Sequence, residues 1–118
     1  MPGSPPRPPE RLLRALKYAN IPGKGLEAAS KRYDIPLTEL SKARRKHRGD
    51  LGFTDEEMVL AGFVDHPSVD ITELMAWFEA VNHDAYGEAE VFVILTKLEA
   101  EGWLAPDGDR WRLAREWP

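Results

Sequence analysis

The sequence predicts a mainly α-helical chain that ends in a small β-hairpin. Three observations predict it. Apolar residues recur at helical spacing in six stretches, and Pro, Gly or Asp breaks separate them. The last stretch gives way to two short runs, Trp103-Leu104-Ala105 and Arg110-Trp111-Arg112-Leu113, across a Pro106-Asp107-Gly108-Asp109 turn. Charge divides the chain in two. Residues 1–52 hold twelve Lys and Arg against five acids, a net of +7, and residues 53–118 hold four against fifteen, a net of −11.

Residues 1–9, with five prolines, read as a disordered tail. A helix is expected over 10–20, where Leu12, Leu13 and Leu16 share a face and Ile21-Pro22-Gly23 stops it. A second covers about 25–33 and a third about 37–48, with Asp34-Ile35-Pro36 between them. Gly49–Gly52 separates a basic unit, 10–49, from an acidic domain, 53–118. The acidic domain opens with a capping box, Thr54 and Glu57, on a helix expected to run to about Asp65. His66-Pro67-Ser68 ends that helix, and 68–71 form an extended link. A helix over about 72–82 should turn Leu74, Met75, Phe78 and Val81 inward. A turn over 83–87 leads to a last helix over about 88–101, with Gly102 suited to its C-terminal cap.

Several classes of chemistry are excluded or disfavoured. There is no Cys, hence no disulfide, thiolate metal site or Cys nucleophile. No apolar run approaches the roughly 20 residues of a membrane span, and no signal-peptide core is visible, so a cytoplasmic protein with no membrane partner is expected. His66 and His83 sit beside Asp65 and Asp84 on turns and read as solvated or capping residues. Pro22-Gly23-Lys24-Gly25 lacks the spacing of a phosphate loop. Neither an enzyme nor a cofactor or metal is expected.

Leu26–Arg45 resembles the helix–turn–helix of bacterial repressors and transposases. The five apolar positions that pin its two helices fall on Ala29, Tyr33, Ile35, Leu40 and Ala43. The small residue of its first helix falls on Ser30, and the turn glycine on Asp34, which tolerates left-handed backbone. The resemblance implies that the second helix lies in the major groove of double-stranded DNA, with Thr38, Ser41, Lys42 and Arg45 toward it. Arg44, Lys46, His47 and Arg48 extend it as a cationic tail; six bases in seven residues exceed what a helix dipole calls for.

Residues 54–114 resemble a winged-helix domain in order of elements: helix, short strand, helix, turn, helix and a two-stranded wing with its tip at Asp107-Gly108-Asp109. Its third helix starts Gly87-Glu88-Ala89-Glu90 and carries one base, Lys97, so the acidic charge argues against DNA contact there. Winged helices without DNA contact commonly serve in protein interaction or dimerisation, and that is what the resemblance implies here. Val91–Leu95 is apolar all round, which leaves Phe92 or Val93 for the surface or a partner, and Trp117 reads as an exposed anchor.

The expected function is non-enzymatic. The basic unit contacts DNA, as in a small transcriptional regulator or a phage or mobile-element accessory protein. The acidic domain holds a protein partner or a second copy. The alternative is a protein-interaction adaptor, or an acidic DNA mimic, with no DNA binding of its own.

Overall fold

The computed structural model describes residues 9–81 and 86–118. The turn His83–Ala85 and most of the Pro-rich tail lie outside the described residues. The chain is mainly helical and divides into two compact units at Gly52/Phe53. Among the described residues no helix is long and apolar enough to cross a membrane.

In the first unit, α1 (Glu10–Asn20), α2 (Leu26–Tyr33) and α3 (Leu37–Lys46) pack on one another, and a 3-10 turn follows over Arg48–Asp50. The core is small: Ala15, Leu16, Ile21, Ala29 and Leu40 are almost fully buried. Tyr18 and Tyr33 meet edge to face, with centroids 5.9 Å apart. Asn20 donates its side-chain N–H to the Leu51 carbonyl at 3.1 Å and ties the end of the unit to α1.

The bend between α2 and α3 turns on Asp34, which caps α2 at φ 52, ψ 52. Among the described residues it is the one non-glycine with positive φ. Inside α2, Ser30 serves both sides of the bend: its carbonyl accepts from Ile35 N–H, and its hydroxyl donates to the Ile35 carbonyl at 2.6 Å. Ala29, Tyr33, Ile35, Leu40 and Ala43 are all buried at this junction.

In the second unit, α4 (Asp55–Ala61) begins at the Thr54–Glu57 capping box. It ends at Ala61, four residues before the expected Asp65. From Gly62 onward the N–H groups reach back three residues rather than four, so the path continues as tighter turns to His66. Gly62 is where Leu74 and Trp77 come closest, and only a residue without a side chain leaves them room. Val69 then forms a two-hydrogen-bond bridge with Trp111, at 2.8 and 2.9 Å.

Helix α5 (Ile71–Ala80) is capped by the Asp70 carboxylate, which accepts from Glu73 N–H at 2.7 Å. It buries Leu74 and Phe78, while Met75 and Val81 are only half-buried. Helix α6 (Glu88–Ala100) buries Val91, Leu95 and Leu98 and packs on α4, α5 and β1. Gly102, at φ 82, closes it: Gly102 N–H reaches the Glu99 carbonyl and Trp103 N–H reaches Leu98, a Schellman motif. Strands β1 (Leu104–Asp107) and β2 (Arg110–Leu113) pair antiparallel around Gly108-Asp109, with Asp107 opposite Arg110.

Candidate nucleic-acid interface

The cations of the first unit fall into two sets. Those on α1 and α2 are engaged locally. Arg14 pairs with Glu10 at 2.8 Å, Arg11 donates to the Tyr33 carbonyl, and Arg32 lies over the Tyr18 ring at 4.8 Å. On and after α3, Lys42, Arg44, Arg45, Lys46 and Arg48 are exposed, and none has an ion-pair or hydrogen-bond partner among the described residues. Leaving five positive charges close together costs Coulomb energy that a polyanion would relieve.

Helix geometry distributes these groups. At about 100° per residue the buried Leu40 and Ala43 mark the inner side of α3, and Thr38, Ser41, Lys42 and Arg45 lie opposite. Glu39, the acid of this helix, is exposed on one flank beside Lys46, away from the centre of the outer face. On the other flank Ser41, Arg44 and Arg45, with Arg48 just beyond the helix, line a pocket of about 540 Å³. Asn20, Leu26, Leu51 and Gly52 complete its lining. These four are scattered along the sequence, and no local pattern marks them.

His47 departs from the expectation. It is 5% exposed and sits just past the end of α3, so it belongs to the packing and not to the cationic tail. Its spacing, seven residues after Leu40 and four after Ala43, puts it on the buried side of α3, and the backbone leaves the helix at His47 (φ −114, ψ 24) and carries Arg48 into the next turn.

The second unit uses up most of its own cations. Arg110 grips Glu73 with two guanidinium bonds at 2.6 and 2.9 Å, donates to the Ser68 side chain and carbonyl, and lies 3.5 Å from Asp70. The Glu73 bond pushes its pKa further up. Lys97 pairs with Glu56 at 2.8 Å, which raises the lysine and lowers the carboxylate. Arg115 stacks on Trp103 at 3.6 Å. Neither α6 nor the hairpin therefore presents a cationic face.

Two of the three residues read as interface residues are exposed. Phe92 is 50% and Val93 64% accessible on the outer face of α6, and Phe92 meets Trp111 edge to face at 6.2 Å. Trp117 is not an exposed anchor. It is 6% exposed, and its ring packs on Phe53 at 5.7 Å. A terminal position carries no signal of burial; the partner ring, far away in sequence, decides it. Among the described residues no group of His, Asp and Glu could hold a metal ion.

No protein-family model, curated protein or solved structure matches the chain.

Proposed function

We propose that the chain is a non-enzymatic double-stranded-DNA-binding protein. Its α2–α3 pair acts as a helix–turn–helix, and α3 enters the major groove. The observation that carries this is the set of five exposed cations on and after α3 without partners among the described residues, in a unit whose other described cations are engaged. Three further observations support it. The five pinning positions are buried, Asp34 makes the left-handed turn between the helices, and Glu39 stands aside from the outer face. Lys42 and Arg45 would meet phosphates or guanine edges, and Thr38 and Ser41 would lie close to the bases.

The second unit reads as a winged helix that has given up DNA. Its order of elements, with Val69 as a third strand residue on the hairpin, supports the fold. Its net −11 and the engaged Arg110, Lys97 and Arg115 oppose nucleic-acid contact. Exposed Phe92 and Val93, with Trp111, offer a surface for a protein partner or a second copy.

Titration of the intact chain with duplex DNA at several salt concentrations tests the reading. Replacing Lys42, Arg45 and Lys46 together by Ala should weaken binding at least tenfold. It should also flatten the log–log salt slope by about 2–3, at roughly 0.9 per phosphate contact. Lys97→Ala should change neither. An equal loss from Lys97→Ala refutes the assignment.

A further inference from the structure

We infer that the pocket beside α3 is a binding site for a short phosphate chain, such as that of a nucleoside triphosphate or inorganic triphosphate. The inference goes beyond the DNA-binding reading and stands without it. Arg44 and Arg45, consecutive in the last turn of α3, and Arg48, at the start of the 3-10 turn that follows, line a single concavity together with Ser41. None of the three guanidinium groups has a partner among the described residues. A guanidinium binds phosphate through two parallel N–H donors, and three of them match the charge of a triphosphate better than that of a single phosphate.

The volume, about 540 Å³, lies within the roughly 300–1,000 Å³ of small-molecule sites. The rest of the lining has a different character. Half-buried Leu26 presents apolar surface, and Asn20 is held in place by its bond to the carbonyl of buried Leu51. A nucleoside attached to the phosphate chain has a surface to lie against there. Concavity also separates this site from a duplex contact. A continuous DNA strand presents its phosphates one after another along a convex rod, and the outer face of α3, with Thr38 and Lys42, is the part free to follow one. Arg45 borders both surfaces, so the small ligand and DNA would compete for it.

The test is calorimetric titration of the intact chain with adenosine triphosphate, inorganic triphosphate, orthophosphate and a short duplex at low salt. Two double variants are compared, Arg44→Gln with Arg48→Gln inside the pocket and Lys42→Gln with Lys46→Gln outside it, each checked for native circular dichroism. Both remove two charges. The expected result is saturable binding of triphosphate at one site per chain, at least tenfold tighter than orthophosphate. It should fall at least tenfold in the Arg44/Arg48 variant and stay within twofold in the Lys42/Lys46 variant. Tighter binding of the nucleotide than of bare triphosphate assigns the apolar surface of Leu26 to the nucleoside; equal binding assigns the site to the phosphate chain alone. No saturable binding of either, or equal losses in the two variants, overturns the inference. If only the duplex responds to Arg44→Gln with Arg48→Gln, the site falls while the DNA-binding reading stands. The reverse pattern, triphosphate bound and duplex not, keeps the site and removes the other reading.

Discussion

Gly62 closes α4 where there is no room for a methyl group. A Cβ added there would lie 2.4 Å from Leu74 Cδ1, 3.2 Å from Trp77 Cε3 and 3.4 Å from the Val59 carbonyl oxygen. Leu74 is completely buried, so its methyl cannot swing into solvent. Overpacking of this kind costs about 1–3 kcal/mol. A smaller effect opposes it. The backbone at Gly62 (φ −68, ψ −12) suits any residue, so Ala also removes freedom from the unfolded chain and returns about 0.4–1 kcal/mol. The clash wins, and Gly62→Ala should cost about 1–2 kcal/mol. In a domain of this size that is a fall in Tm of roughly 5–15 °C. Thermal unfolding read by tryptophan fluorescence reports on this unit alone, because Trp77, Trp103, Trp111 and Trp117 all lie in it. Gly52→Ala, where nothing lies within 4 Å of the added atom, is the control and should leave the fluorescence transition in place. Combining Gly62→Ala with Leu74→Ala should cost less than the sum of the two, since one change makes room for the other. An unchanged or raised Tm for Gly62→Ala, or strict additivity with Leu74→Ala, would refute the steric argument.

Two further outcomes follow from single residues. Asp34→Gly should keep the helicity and melting temperature of the basic unit, whereas Asp34→Val, forced into left-handed backbone, should destabilise it by about 1–2 kcal/mol in a circular-dichroism melt. Burial first, and then the 2.6 Å hydrogen bond to Asp55, push the Tyr86 phenol up to about 12 from an ordinary 10.0. Because the folded value is the higher one, the neutral phenol contributes stability that is fully present below pH 10.0 and is lost as pH rises toward 12. An absorbance titration of tyrosinate should show a late component that Tyr86→Phe removes.

Local chemistry was legible in the sequence wherever neighbours in the chain decide the structure. The Thr54–Glu57 box and Gly102 each act within a few residues, and all three have the expected roles. So does the apolar spacing that buries Ala29, Tyr33, Ile35, Leu40 and Ala43. What was not legible depends on contacts across the fold. The α-helical geometry of α4 stops at Ala61, and the space a side chain at Gly62 would fill is taken by Leu74 and Trp77, more than ten residues later in the chain. Nothing in the local sequence marks the partners of Arg110, because Ser68 and Glu73 lie about forty residues earlier. Trp117 looks exposed from its terminal position and packs on Phe53, far earlier in the chain, whereas the burial of His47 is hidden by its cationic neighbours although its spacing from Leu40 and Ala43 is that of the buried face. For the candidate site, the cations of α3 were visible as a run of charge, whereas Asn20 and Leu26, which complete the pocket from earlier in the chain, were not.

The Val69–Trp111 bridge sets an order of events in synthesis. Val69 is 2% exposed, and both its backbone N–H and its carbonyl are satisfied by Trp111. Until residue 111 has been made, a nascent chain would have to bury those two groups unpaired, at about 1–3 kcal/mol each, or keep Val69 in water. The apolar sides of α4, α5 and α6 are therefore all available before the strand that completes them. During that interval their Leu and Phe residues face water, and the hairpin, which emerges after all three helices, is the latch that closes the unit.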